Sequence, residues 1–142
     1  MNADDEISIN DYQALSEFRY QIRRFLHFSE QTARVAGLEP QQHQLLLALK
    51  GRPEGHQVTI GDLAERLQIQ HHSTVELLNR LEERDLIYRS RDEADQRRVF
   101  VNLSQHGEEV LRKLSLLHRT ELQSTGPALV RALNAVIKSG TE

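Results

Sequence analysis

Apolar residues recur at three- and four-residue spacing through Leu15, Phe18, Ile22, Phe25, Leu26, Ser29 and Ala33, which predicts a long first helix with one apolar stripe. Asn10, with Gln13 three residues on, has a capping-box pattern and places its start, and Gly37 is a stop signal. Pro40 opens a second helix over 41–50 with an apolar patch at Leu45, Leu46, Leu47 and Leu49, ended by Gly51-Arg52-Pro53-Glu54-Gly55. Ile60, Leu63, Ala64 and Leu67 form the buried stripe of a third, short helix, with Thr59 as N-cap and Asp62 near the open amides of the first turn. After Gln68-Ile69-Gln70, a fourth helix runs from about His71 to Arg84, with Thr74, Leu77, Leu78 and Leu81 inward. Ser104 caps a further helix from His106 to about Gln123, carrying Val110, Leu111, Leu114, Leu117 and Leu122. Gly126-Pro127 is expected to break it, leaving a last helix to about Lys138 with Leu129, Val130, Leu133, Val136 and Ile137.

Between the fourth helix and Ser104 the period changes to two. Val99, Val101 and Leu103 alternate with Arg98, Phe100 and Asn102, which predicts a half-buried strand. Tyr88-Arg89-Ser90-Arg91 is a second extended run, and the polar residues Asp92 to Gln96 between the two suit a hairpin loop. Two short helices joined by a three-residue turn cross steeply, so the second projects from the surface. Its outward or partly outward residues are His71, His72, Ser73, Val75, Glu76, Asn79 and Arg80. Short hydrogen-bonding side chains there can reach base edges without holding the helix off a DNA groove. The fold class expected is mainly α with a small antiparallel β wing: a winged helix-turn-helix flanked by N- and C-terminal dimerisation helices. The whole chain, 1–142, reads as one domain, with the winged region at about 40–104 and the flanking helices at about 10–37 and 105–138. The leucine-rich stripes of those flanking helices are most simply buried against a second copy of the chain, the alternative being that they cover their own core.

Charge changes this picture less than its sum implies. The net charge is −3, but four of the 21 acids (Asp4, Asp5, Glu6 and Asp11) lie in the first eleven residues. Without them 18 bases face 17 acids, and 15 of those bases are arginine. Arginine suits bidentate contacts to phosphate or guanine, while a high-GC codon bias is an equal alternative. Cysteine is absent, which excludes a disulfide framework and a thiolate metal site. No apolar run reaches the roughly 20 residues that span a bilayer, and the acidic start is not a signal peptide, so no membrane association and a cytoplasmic location are expected. There is no phosphate loop, nucleophile elbow or framed carboxylate pair, so an enzyme is not expected and no cofactor is implied.

Three stretches carry a family resemblance: Thr59-Ile60-Gly61-Asp62-Leu63-Ala64-Glu65-Arg66-Leu67; Leu77-Leu78-Asn79-Arg80-Leu81-Glu82-Glu83-Arg84-Asp85-Leu86-Ile87; and Asp95-Gln96-Arg97 running into a strand that ends Leu103-Ser104. In this order and spacing the chain resembles the MarR family of transcriptional regulators from about Asp11 to Lys138. The resemblance implies a homodimer that binds double-stranded DNA at a pseudo-palindromic site, more readily a repressor than an activator. Carried over by position, His71, His72, Ser73, Val75, Glu76, Asn79 and Arg80 lie on the reading helix, and Arg91, Arg97 and Arg98 on the wing. Asp95 would orient an arginine such as Arg97, and the alternative for Arg97 is a purely internal ion pair that holds the hairpin. Gln68 and Asp85 stand at helix ends where the family often has glycine, which implies a left-handed backbone at two non-glycine residues.

Glu76 is the oddity on the reading helix. It can accept from cytosine N4, or pair with Arg80 one turn on, the reading preferred here. Seven histidines without cysteine raise the question of a zinc site, but no two sit at a chelating spacing on one helix face, so no metal site is assigned. The resemblance also implies a small aromatic or amphipathic effector, for which Phe18, Arg24, His27, Phe28 and His43 are the candidate contacts. The rival reading is a winged-helix dimer that serves as a protein-interaction module with little specific DNA binding. Arg91, Arg97 and Arg98 together argue against it.

Overall fold

The computed structural model describes residues 5–139; Met1 to Asp4 of the acidic start lie outside the described residues. The elements are α1 (Ile9–Val35), α2 (Pro40–Lys50), β1 (Val58–Thr59), α3 (Ile60–Leu67), α4 (His71–Glu83), β2 (Ile87–Arg91), β3 (Val99–Leu103) and α5 (Gln105–Lys138). The described residues fall into two compact units, one of 33–115 and one made by 5–32 with 116–139. None of the described helices is long and apolar enough to cross a membrane.

The 33–115 unit is built on one apolar core. Leu45, Leu46 and Leu49 of α2, Leu63 of α3, and Leu77, Leu78 and Leu81 of α4 meet Leu86, Ile87, Val101, Leu111 and Leu114. The third and fourth helices owe their positions to that core, since each places one leucine stripe in it. The sheet order is β1-β3-β2, antiparallel throughout, with Val58 opposite Val101 and Arg89 opposite Val101 on its other side. The strand β1 has only two residues, too few for an alternating pattern to show in the sequence. It makes β3 the central strand, and the expected two-faced alternation is corrected at one position. Phe100 is buried, not outward, and the guanidinium of Arg98 lies over its ring at 5.3 Å.

Helix ends explain most boundaries. Thr59 and Asp62 form a reciprocal capping box at α3: Asp62 N–H donates to Thr59 Oγ1 at 3.1 Å and Thr59 N–H donates to Asp62 Oδ2 at 3.0 Å. Glu39 and Gln42 cap α2 in the same way. At α1 the box is Ser8 with Asp11, not Asn10 with Gln13. Ser8 N–H donates to Asp11 Oδ2 at 2.8 Å and Asp11 N–H to Ser8 Oγ at 3.2 Å, so Asn10 lies inside the helix. Gln68 (φ 58°) and Asp85 (φ 59°) both hold the left-handed conformation expected of them.

In the terminal-helix unit, α1 and α5 run antiparallel. Asp11 of α1 accepts from Ser139 just beyond α5, and Ser29 of α1 meets His118 Nε2 at 2.8 Å. The expected break at Gly126-Pro127 is absent, and α5 continues through Pro127 to Lys138. Proline removes one backbone donor and its ring crowds the preceding turn, but Gly126 lacks the Cβ that adds to the clash with the preceding residue. The chain after the wing is therefore one 34-residue helix and not two.

Candidate nucleic-acid interface

Packing decides which side of α4 faces out. Thr74, Leu77, Leu78 and Leu81 are buried, and the Thr74 hydroxyl donates back to the carbonyl of Gln70 at 3.0 Å. The opposite face carries His71, His72, Glu76, Asn79 and Arg80, all exposed, with Ser73 and Val75 half-buried at its edge. The helix thus brings together all seven of the reading residues expected from the sequence. Glu76 does not pair with Arg80: among the described residues its carboxylate takes part in no ion pair. An exposed pair one turn apart gains a few tenths of a kcal/mol at most, too little to fix two long side chains.

The hairpin following α4 is longer at its tip than the sequence implies. Asp92 N–H donates to the Arg98 carbonyl and Arg98 N–H to the Asp95 carbonyl, both at 3.0 Å, so the loop spans 92–98 and includes Arg97 and Arg98. Asp92 caps it by accepting from Ala94 N–H at 2.9 Å. Asp95 Oδ1 accepts from Arg97 N–H at 3.1 Å and lies 3.4 Å from Arg97 Nε. The Arg97 side chain remains 92% exposed, so the contact holds the base of the guanidinium and leaves its outer edge open to solvent. Arg91 Nη1 donates to the Gln96 carbonyl at 2.8 Å, and Arg98 lies 3.9 Å from Asp92. Arg97 projects into water, while Arg91 and Arg98 also brace the hairpin.

One arginine was missed by the sequence reading. Arg89, on β2, donates from Nη2 to Asn79 Oδ1 at 2.5 Å, and its Nε lies 2.9 Å from Glu82 Oε2. The wing is thereby fastened to the reading helix through a charged side chain. The strand period points Arg89 to the opposite side from exposed Tyr88, but that this side meets α4 is set by the packing alone.

The terminal-helix unit has a separate cleft of about 430 Å³ between α1 and α5. Arg24, His27 and Phe28 line it with Phe25, Glu121 and Leu122. These are three of the five expected effector contacts. Phe18 is not among the lining residues, and His43 belongs to the other unit, where it is 2% exposed. Phe28 and Phe25 both meet the ring of His118 edge-on, with centroids 5.5 Å and 6.1 Å away. Among the described residues no group of three His, Asp or Glu side chains is placed to hold a metal ion.

A comparison with models of known families matches residues 36–98 to the MarR family. Over these residues the chain matches the MarR family and has the order of a winged helix. The matched segment holds α2, the α3–α4 pair, β2 and the loop through Arg98. No curated protein matches the chain at a significant level. Among solved structures, this chain is similar to AbsC, a MarR family transcriptional regulator from Streptomyces coelicolor, with TM-score 0.72 and 23% identity over 84% of this chain and 80% of that one. It is similar to RV1404 from Mycobacterium tuberculosis, with TM-score 0.72 and 22% identity over 96% and 97%. It is also similar to MepR, a transcription regulator of a multidrug efflux pump in Staphylococcus aureus, with TM-score 0.70 and 24% identity over 86% and 88%. At these identities the structures establish a shared MarR fold.

Proposed function

We propose that this protein is a homodimeric transcriptional regulator, most simply a repressor, that binds double-stranded DNA at a pseudo-palindromic site. The observation that carries the reading is the outward face of α4. It is fixed by four buried residues on its other side, presents short polar groups, and is followed by a hairpin whose Arg97 projects into solvent. A helix so placed fits a major groove, and an arginine-tipped hairpin fits the flanking backbone or minor groove. One of the similar structures is a MepR variant bound to an oligodeoxyribonucleotide. The exposed apolar residues of α1 and α5, including Ile9, Tyr12, Val130 and Ile137, support the second copy.

The cleft between α1 and α5 supports an effector that is both aromatic and anionic. Phe25 and Phe28 offer ring contacts, and Arg24 and His27 lie beside them to meet a carboxylate. In a similar structure, DNA binding by BpsR of Bordetella bronchiseptica is regulated by 6-hydroxynicotinic acid. Fluorescence anisotropy on duplexes from upstream of the protein's own gene and from other promoters, titrated with salt and random-sequence competitor, tests the DNA reading. Tight binding that resists competitor and weakens steeply with salt is expected. Binding equal to that of random duplex on every promoter would overturn it in favour of a protein-interaction module.

A further inference from the structure

Asn79 is an outward side chain of α4 whose hydrogen-bonding polarity is already set inside the protein. A carboxamide has an accepting arm and a donating arm, and in solution either can face a partner. A guanidinium has five donors and no acceptor, so whatever part of Asn79 faces Arg89 must be its oxygen. That is the arrangement found, with Arg89 Nη2 donating to Asn79 Oδ1. The guanidinium is itself held: Glu82, one turn after Asn79 on the same helix, places its carboxylate 2.9 Å from Arg89 Nε, and the Arg89 side chain is only 27% exposed. The amide nitrogen then lies on the free arm, on an exposed residue of the outward face.

We infer that Arg89 is a specificity-determining positioning residue, which orients Asn79 so that its amide nitrogen, not its oxygen, faces the major groove. This rests on the DNA-binding reading above. An unconstrained asparagine recognises adenine with both arms at once, accepting from N6 and donating to N7. With its oxygen turned toward Arg89, Asn79 presents its amide nitrogen to the groove; its donors match guanine O6 and N7 or thymine O4, whereas adenine offers N7 alone, beside its own N6 donor. Arg89 need not touch DNA to exert this effect. The same contact explains why a strand arginine and a helix carboxylate are tied together at the edge of the reading face rather than left to solvent.

The test is selection from a randomised duplex library followed by sequencing, with wild type, Asn79→Ala, Asn79→Asp, Arg89→Ala and Arg89→Lys, each checked for folding by thermal melting. Wild type is expected to select dG or dT at one position per half-site, and Asn79→Ala to lose preference there, by about tenfold, and nowhere else. Asn79→Asp keeps the Arg89 contact and the helix but has no donor, so the dG or dT preference should be lost and dC, whose N4 donates, should gain. Arg89→Ala releases the oxygen and should move the preference at that position to dA. Arg89→Lys still offers a donor and should retain the wild-type preference in part, which covers the case where the alanine variant fails to fold. Selection of dA by wild type at the Asn79-dependent position, or folded Arg89 variants with an unchanged preference, would overturn the inference while leaving the DNA-binding reading intact. Absence of any enriched sequence with wild type would overturn both.

Discussion

A methyl group on Gly107 would sit 2.0 Å from the backbone oxygen of Leu86, where neither atom belongs to a flexible side chain. Glycine is needed here for close approach, since the first turn of α5 lies directly on the chain leaving α4. Ser104 joins the two by accepting from Gly107 N–H at 2.9 Å while its hydroxyl donates to the Asp85 carbonyl. On helix propensity alone Gly107→Ala would stabilise by about 1 kcal/mol. The forced displacement of backbone outweighs this, and a net loss of about 1–3 kcal/mol is expected in urea denaturation. Arg97 poses the reverse case, an exposed side chain whose loss should leave stability almost unchanged. Arg97→Ala is expected to weaken binding to all duplexes alike and to reduce the slope of log affinity against log salt by about one. A loss confined to the preferred site would show that Arg97 reads bases. Several such residue roles were legible in the sequence. Gln68 and Asp85 were expected to be left-handed from the glycines that relatives carry there, and they are. Arg89 was not legible, because its role depends on which strand face meets α4, a tertiary fact that a five-residue strand does not encode.

At the scale of elements, caps and breaks decide where helices begin and end, and they respond to pH. Asp62 is held below the ordinary carboxylate pKa of 3.8, first by the backbone hydrogen bond from Thr59, with the Thr59 hydroxyl and His56 adding to it and burial opposing. His56 Nε2 lies 3.5 Å from its carboxylate. A depressed pKa in the folded state means that the ionised form is favoured by folding. Its stabilisation is therefore present above the unfolded value and lost as pH falls through the folded one. Asp62→Asn should thus be less stable than wild type at neutral pH, with the gap closing below about pH 4, as read from paired urea melts. A gap that stayed constant down to pH 2 would assign the effect to packing. The amphipathic helices and the wing hairpin were legible as elements because each repeats its signal over several residues. Boundaries were less so. Ser8 with Asp11 and Asn10 with Gln13 are equivalent as patterns, and only the observed hydrogen bonds choose between them. Pro127 reads as a stop, yet the helix continues through it, with Gly126 before it removing one of the clashes. The strand β1 has two residues and no pattern at all.

At the scale of the whole molecule, the terminal helices carry large apolar residues that their own unit leaves exposed. In the unit of 5–32 and 116–139, Ile9, Tyr12, Val130 and Ile137 are 69%, 59%, 57% and 64% exposed, although each is large and apolar and all lie toward the paired ends of α1 and α5. The cost of leaving them in water is about 1.5–3 kcal/mol per side chain, which a second copy presenting the same face would remove. A reading helix on one subunit alone covers a single half-site. Two copies sharing a two-fold axis place two reading helices on successive major-groove faces about 34–36 Å apart. Dimerisation and specific binding are therefore one property in this scheme, and a single surface change should remove both. Val130→Glu combined with Ile137→Glu puts charges at positions that the isolated chain already leaves exposed, so the 33–115 core should remain folded. Light scattering after gel filtration should then fall from about twice 16.4 kDa to that of one chain. Helix content by circular dichroism should persist, and affinity for a full palindrome should drop to that of a half-site, with the salt slope roughly halved. A wild-type protein that is monomeric at micromolar concentration, yet binds a palindrome tightly, would require the second copy to be recruited by the DNA instead. In that case the charge pair would lower binding cooperativity without altering the mass of the free protein.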